Sequence, residues 1–131
     1  MKALVVEDDF ICRKLLRELL STYGECDIAS NGEEAVDAFE YALENRDPYQ
    51  LVCLDIMMPR MDGQEALRRI RALEQERGIY GDAEAKVLMI SALDDPKTVI
   101  DAYYQGGATS FVAKPIVKES LLNELGAFGL L

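Results

Sequence analysis

The chain has 131 residues, half of them hydrophobic, and a formal net charge of −10. This length suits one compact domain with a single core, and the hydrophobic content excludes an intrinsically disordered chain. The acidic charge argues against direct binding of DNA or of an anionic membrane, since both need a basic surface, and no apolar run approaches the roughly 20 residues that span a bilayer.

The first half of the chain alternates short apolar runs with amphipathic segments. Residues 2–7 predict a strand and residues 26–29 a weaker one. Between them the spacing of apolar residues predicts a helix over 10–20. The positions that form its apolar stripe are Phe10, Ile11, Leu15, Leu16, Leu19 and Leu20. Asn31-Gly32 then makes a turn that caps a helix over 33–45.

The second half continues the same alternation. The predicted elements are, in order, a strand at 50–56, a helix at 64–77, a polar loop at 78–85, a strand at 86–92, a helix at 94–106, a strand at 109–114 and a helix at 116–125. Three arginines of the helix at 64–77, Arg68, Arg69 and Arg71, are interpreted as its solvated face.

The five predicted strands read as continuous apolar runs, which is typical of a parallel sheet covered on both faces. The sequence therefore predicts an α/β fold with a doubly wound five-stranded parallel sheet and five helices. We find no linker or repeat, and residues 1–131 are interpreted as one domain.

The cysteines indicate a reducing compartment. Cys12, Cys26 and Cys53 are odd in number, none is at C-x-x-C spacing, and the chain has no histidine to complete a zinc site or to activate a thiol. We interpret them as reduced, mostly buried thiols. The apolar stretch at the N-terminus is too short for a signal peptide, so we expect a cytoplasmic protein.

Polar residues follow four of the predicted strands at the edge where ligands bind to open parallel sheets. They are Glu7-Asp8-Asp9, Asp55, Ser91 and Lys114-Pro115. Each has an ordinary interpretation alone, since acids cap helices and Lys-Pro makes turns. Together they indicate a site, because crowded carboxylates repel and need a cation, and oxygen ligands suit Mg²⁺.

This set of residues fits an incoming phosphoryl group. Asp55 would be the nucleophile and would form an acyl phosphate. Lys114 would neutralise the phosphoryl oxygens, Ser91 would donate a hydrogen bond to one of them, and Mg²⁺ would add positive charge. Small Ala92 leaves room for the phosphoryl donor.

The sequence resembles the receiver domain of two-component response regulators over essentially its whole length. The motifs that carry the resemblance are VVEDD at 5–9, LDIMMPRMDG at 54–63, ISA at 90–92 and FVAKP at 111–115. The resemblance implies a flavodoxin-like fold with strand order 2-1-3-4-5. It also implies a stand-alone, chemotaxis-regulator-like receiver, a phosphoacceptor signalling domain rather than an enzyme.

The resemblance also implies roles for individual residues. Asp9 and Asp55 would ligate Mg²⁺ together with the backbone carbonyl of Met57, and Asp8 would act through water. Lys114 would contact the phosphoryl group and, before it arrives, Asp55.

Further implied roles concern the switch between two states. Ser91 would move inward to the phosphoryl group, and Phe111 would be the aromatic switch residue. Lys114 and Pro115 would be joined by a cis peptide bond. The phosphoryl group would come from a histidine kinase or a phosphotransfer protein. The surface over 95–125 would then bind a downstream protein, and dimerisation on phosphorylation stays open.

Two alternatives remain from the sequence. A Mg²⁺-dependent aspartyl phosphohydrolase usually has a second acid two residues after the nucleophile, where this chain has Met57. A phosphorylation-independent scaffold of the same fold usually loses an acid or the lysine, and all are present here. Met57 and Leu93 occupy positions that tune phosphoryl lifetime in the family, and both are apolar, so we expect slow self-dephosphorylation.

Overall fold

The computed structural model describes residues 1–56, 58, 61–91 and 107–131. The described strands are β1 (Lys2–Val6), β2 (Glu25–Ala29), β3 (Leu51–Asp55), β4 (Lys86–Ser91) and β5 (Ser110–Ala113). The described α-helices are α1 (Phe10–Ser21), α2 (Gly32–Glu44), α3 (Gly63–Glu76) and α4 (Lys118–Ala127), and a 3₁₀ turn lies at Gly81–Ala83. The fifth predicted helix, at 94–106, lies outside the described residues.

The five strands form one parallel sheet in the order β2-β1-β3-β4-β5, as predicted. In the register, Val6 lies opposite Leu54, and Asp55 opposite Ile90. The carboxyl ends of β1, β3 and β4 therefore meet at one edge of the sheet.

Both faces of the central strands β1 and β3 are buried, which explains why these strands carry no polar alternation. In β1, Leu4 and Val6 pack on the face covered by α2 and α3, while Ala3 and Val5 pack on the face covered by α1 and α4. Successive side chains of a strand point to opposite faces, so a strand covered on both sides must be apolar throughout.

The first helix is confirmed, but its apolar stripe is wider than its buried face. Leu16 and Leu20 are fully buried, whereas Phe10, Ile11 and Leu15 are 66%, 75% and 39% exposed. Helical periodicity predicts the helix, but it does not show how much of the apolar stripe the neighbouring elements cover.

Three of the four described helices begin after a residue whose side chain caps them, and the predicted helix starts lie within two positions of the observed ones. Asn31 accepts a hydrogen bond from the backbone N–H of Glu34 and caps α2, and Asp62 does the same for α3 through Glu65. The last helix begins at Lys118 rather than at 116, because Val117 stays extended.

The interpretation of Arg71 as part of a solvated face is wrong. Its guanidinium pairs with the buried carboxylate of Glu74 at 2.7 Å and donates to the carbonyls of Ala85 and Gly107 at 2.8 and 3.0 Å. Arg68 and Arg69 are solvated as predicted, and both pair with the partly exposed Glu65.

No helix within the described residues is both long and apolar enough to cross a bilayer. The three cysteines are free thiols, Cys53 buried and Cys12 and Cys26 partly so. Burial raises the pKa of Cys26 to about 11, so its thiol stays protonated at neutral pH.

Candidate functional site

Three strands bring charged side chains together at the carboxyl edge of the sheet. Glu7 and Asp8 follow β1, Asp55 is the last residue of β3, and Lys114 follows β5. Because β1 and β3 are neighbours, their acids converge, and the long lysine side chain reaches them across β4. The parallel topology thus assembles a site from residues more than 100 positions apart in the chain.

Lys114 lies between two buried carboxylates. Its ammonium nitrogen is 3.0 and 3.1 Å from the two carboxylate oxygens of Glu7 and 3.4 Å from Oδ2 of Asp55. Glu7 is fully buried and Asp55 is 3% exposed. A buried carboxylate is costly unless a charge compensates it, so Lys114 is the counter-ion that makes Asp55 tolerable at the end of an apolar strand.

The acids fit a divalent cation. Glu7, Asp8 and Asp55 each offer a carboxylate oxygen, and these oxygens lie within 4.8 Å of one another. Asp8 is exposed, so the cluster has an open side toward solvent. Hard oxygen donors with room for water suit Mg²⁺. One lysine cannot neutralise three acids, so a divalent cation also fits the charge of the cluster.

Asp9 has a different position from the one that the sequence suggested. It was assigned as a direct metal ligand, but the cluster contains Glu7 in its place. Oδ1 of Asp9 accepts hydrogen bonds from the backbone N–H groups of Ile11 and Cys12 and caps α1. The first turn of a helix needs such an acceptor, and the residue just before the apolar stripe is where it belongs.

Glu7 is the residue of the acidic cluster that the sequence reasoning missed. It was noted at the strand end and then given no role. Two signals could have found it: it directly continues the buried strand β1, and Asp9 stands at the N-cap position of the next helix.

The pKa values of the site follow from burial and from the crowding of charges. The pKa of Glu7 is raised to about 7, mainly by burial and in smaller part by Asp55, against the lowering effects of the hydrogen bonds from Lys114 and from the backbone N–H of Asp9. Burial disfavours charge on Lys114, but Glu7 and Asp55 outweigh it and raise the lysine pKa. Lys114 therefore stays charged at neutral pH.

Gly63, the first residue of α3, lies directly against the end of β3. The backbone N–H of Gly63 donates to the carbonyl of Ile56 at 2.9 Å. A Cβ on Gly63 would collide with the carbonyl oxygen of Asp55 and the Cα of Ile56. The glycine of the LDIMMPRMDG motif thus allows α3 to start in direct contact with the backbone of Asp55.

The remaining predicted site residues are described in part. Met57, Leu93 and Ala92 lie outside the described residues. Ser91 is the last residue of β4, beside the site by its backbone, and its side chain is not described.

Two features of β5 and its following turn are described. Phe111 is partly buried and packs against the core on the α2 and α3 face. The peptide bond between Lys114 and Pro115 is cis, as expected.

The comparison with protein families decides which family this chain belongs to. The sequence profile described as the response regulator receiver domain matches residues 3–126. The chain belongs to the response regulator receiver domain family. It is a signalling domain of two-component systems, in which histidine kinases phosphorylate receiver domains.

Similar proteins include stand-alone regulators and parts of kinases. The receiver domain is 33% identical to the two-component response regulator ORR41 of Oryza sativa subsp. japonica, over 99% of this chain and 95% of that protein. It is 32% identical to the chemotaxis protein CheY of Bacillus subtilis, over 95% and 93% of the two chains. It is also 33% identical to the probable histidine kinase 2 of Oryza sativa subsp. indica, of which it spans 12%.

Solved structures show the same fold. The chain of the CheX–CheY–BeF₃–Mg²⁺ complex from Borrelia burgdorferi superimposes with a TM-score of 0.82 at 31% identity, over 98% of this chain and 89% of that one. The receiver domain of the histidine kinase CKI1 from Arabidopsis thaliana, complexed with Mg²⁺ and BeF₃⁻, gives 0.80 at 27% identity, over 96% and 89%.

Proposed function

We propose that residues 1–131 form one receiver domain that accepts a phosphoryl group on Asp55 from the phosphohistidine of a histidine kinase or phosphotransfer protein. The observation that carries this proposal is the pairing of a buried Asp55 with Lys114 beside Glu7 and Asp8. In a member of the receiver family, that arrangement supports Asp55 as the phosphoacceptor.

The chemistry is a transfer between two nucleophiles. A carboxylate oxygen of Asp55 forms a bond to phosphorus while the bond from phosphorus to the imidazole nitrogen of the donor breaks. The donor imidazole leaves with the electron pair and takes up a proton, and Asp55 becomes an acyl phosphate. Lys114 stays protonated and offsets the negative charge on the phosphoryl oxygens throughout.

Asp8, Asp55 and Glu7 are the described residues that would hold Mg²⁺ or its bound water. The ion, when bound, would neutralise negative charge on the transferred group. Solved relatives with Mg²⁺ support this assignment. The exposed side of Asp8 supports entry of both ion and donor from solvent.

The phosphoryl group would change the surface predicted over residues 95–125, of which 95–106 lie outside the described residues. Its added charge and acceptor oxygens would draw in Ser91 and Phe111 and would move Lys114 away from Glu7. Phe111 is partly buried on β5, three residues before Lys114. The output would be a protein–protein contact, and whether the chain also dimerises on phosphorylation is part of the same proposal.

The acyl phosphate should decay slowly. The residues at 57 and 93 are apolar and hold no group that positions an attacking water. After removal of the donor, loss of the phosphoryl group measured by intact mass should take minutes or longer. A half-life of seconds would contradict this expectation.

Chemical mapping tests the phosphoacceptor directly. The protein is incubated with acetyl phosphate and Mg²⁺, reduced with borohydride, digested and sequenced by mass spectrometry. Reduction converts a phosphorylated aspartate to homoserine, and we expect that product at Asp55. Homoserine at Asp8 or Asp9 instead would overturn the assignment.

A further inference from the structure

An open groove runs between α2 and α3. It consists of two adjoining cavities of about 450 and 250 Å³, which share Val36, Asp37 and Arg69 in their linings. One wall comes from positions 33–40 of α2 and the other from positions 69–76 of α3. We call this feature the α2–α3 groove.

The floor of the α2–α3 groove is apolar. Val36, Met61 and Leu73 belong to its lining and are partly buried against the core. Ala72 is exposed on α3 and adds a small side chain to the same lining. Apolar surface that remains open to solvent gains stability when a second apolar side chain covers it. The floor can therefore take up apolar side chains of a partner.

The rim of the α2–α3 groove is mainly acidic. Four acids line it, three from α2 and one from α3: Glu33, Asp37, Glu40 and Glu76. In the part of the chain that the structure describes, none of the four forms an ion pair. The lining also contains the basic Arg69, but its Nε already donates to Glu65 at 3.2 Å. An apolar floor with a charged rim is the usual anatomy of a protein interface.

The charge of the whole molecule favours one kind of occupant. A second copy of this chain carries the same net charge of −10 and would be repelled. A cationic partner is instead attracted over a distance and steered toward the acidic rim. The α2 wall, from residue 33 to residue 40, is about 10 Å long, or two helical turns. A helix with one apolar stripe and flanking basic side chains matches a groove of this length and charge.

We propose that the α2–α3 groove is a docking surface for a cationic amphipathic helix of a partner protein. The apolar stripe of that helix covers Val36 and Leu73, and its lysine or arginine side chains pair with the acids of the rim. The described lining residues lie between positions 33 and 76 and do not include Asp55. Docking therefore does not depend on the proposed phosphoryl transfer, and the two can be tested separately.

A synthetic helix serves as the probe. It is a peptide of about 15 residues with leucines at i, i+3, i+4 and i+7 and lysines elsewhere. Its binding to the unphosphorylated protein is followed by ¹⁵N NMR and by fluorescence anisotropy. We expect the backbone resonances that shift to cluster within residues 33–40 and 69–76. Shifts that cluster on another face of the protein, or no binding, would overturn the proposal.

Two triple variants of equal net charge separate the groove from general acidity. The groove variant is Asp37→Asn/Glu40→Gln/Glu76→Gln. The matched control removes three exposed acids elsewhere and is Glu18→Gln/Asp82→Asn/Glu119→Gln. The dissociation constant of the peptide should rise about tenfold in the groove variant, as for the loss of several exposed ion pairs. In the control it should stay within about twofold of wild type, since salt screens distant charges. Equal rises in both variants would refute the proposal, because net charge alone would then explain the binding.

An uncharged substitution tests the apolar floor. In Ala72→Tyr the added ring occupies the groove, so the affinity for the peptide should fall as far as in the groove variant. Binding at the wild-type level would show that the peptide does not enter the groove.

Sedimentation of the protein without peptide tests the other occupant. We expect a monomer for wild type and for the groove variant. If wild type self-associates and the groove variant does not, the groove holds a second copy of this chain and the proposal is wrong.

Discussion

At the scale of single residues, the site depends on a carboxylate in a buried position, where its charged form is disfavoured. Asp55 ends a strand whose other four residues are all buried and apolar. Its position is stable because Lys114 reaches it from β5 and Glu7 shares the same lysine. A buried charge of this kind is typical of functional sites, where a group that lowers stability is kept because the chemistry requires it.

The raised pKa of Glu7 predicts a pH effect on stability in the absence of metal. The pKa is about 7 in the folded protein and 4.5 for an ordinary glutamate, so between these values the folded state binds more protons than the unfolded state. The stabilising contribution of Glu7 is therefore complete below pH 4.5 and is lost as the pH rises through 7. The slope for one proton is at most about 1.4 kcal/mol per pH unit.

Urea unfolding in EDTA from pH 5 to 8 measures this effect. Glutamine resembles the protonated acid, so Glu7→Gln should gain stability relative to wild type as the pH rises. Glu33→Gln, which removes an exposed acid from α2, is the control. Its free energy of unfolding should differ from that of wild type by the same amount at every pH. If the free energies of unfolding of wild type and Glu7→Gln differ by the same amount at every pH, Glu7 has the same pKa in the folded protein as in the unfolded chain.

At the scale of elements, two side chains of α3 form hydrogen bonds with backbone groups just before the starts of β4 and β5. Arg71 on α3 donates to carbonyls just before β4 and β5, and the buried Glu74 accepts the backbone N–H of Ala85 at 2.7 Å. Both side chains are nearly inaccessible, 12% and 2% exposed. This ion pair joins α3 to the edge of the sheet opposite the functional site.

Removal of Glu74 should be costly. In Glu74→Ala, the guanidinium of Arg71 loses its carboxylate partner and the N–H of Ala85 loses its acceptor, both in largely buried positions. We expect the free energy of unfolding to fall by about 3–5 kcal/mol, the usual cost of leaving a buried charge without its partner. Glu76→Ala, an exposed acid on the same helix, should change it by less than about 0.5 kcal/mol. Equal losses in a denaturant titration would show that the ion pair contributes nothing.

The same elements show where sequence reasoning stops. Periodicity and capping residues predicted all five strands and the four described helices, with ends shifted by one or two residues. They could not predict that Arg71 turns inward, because its partners are carbonyls of distant loops. The acid cluster contains Glu7 rather than Asp9, and Oδ1 of Asp9 instead accepts hydrogen bonds from the first turn of α1.

At the scale of the whole molecule, strand order explains both the fold and the site. Five parallel strands with helices on both faces bring the ends of β1, β3 and β5 to one edge. The order was predicted from the resemblance and is confirmed, and the convergence of Asp8, Asp55 and Lys114 follows from it. The net charge of −10 arises largely elsewhere, for example from the five acids of α2: Glu33, Glu34, Asp37, Glu40 and Glu44.

The central claim is that the whole molecule takes up one phosphoryl group, on Asp55, in a metal-dependent reaction. Its most direct test is the intact mass of wild type and Asp55→Asn after incubation with acetyl phosphate, with Mg²⁺ and with EDTA. Our account predicts a gain of one phosphoryl group in the wild type with Mg²⁺, and no gain in EDTA or in Asp55→Asn. An unchanged wild-type mass with Mg²⁺, or equal gains in wild type and Asp55→Asn, would contradict it.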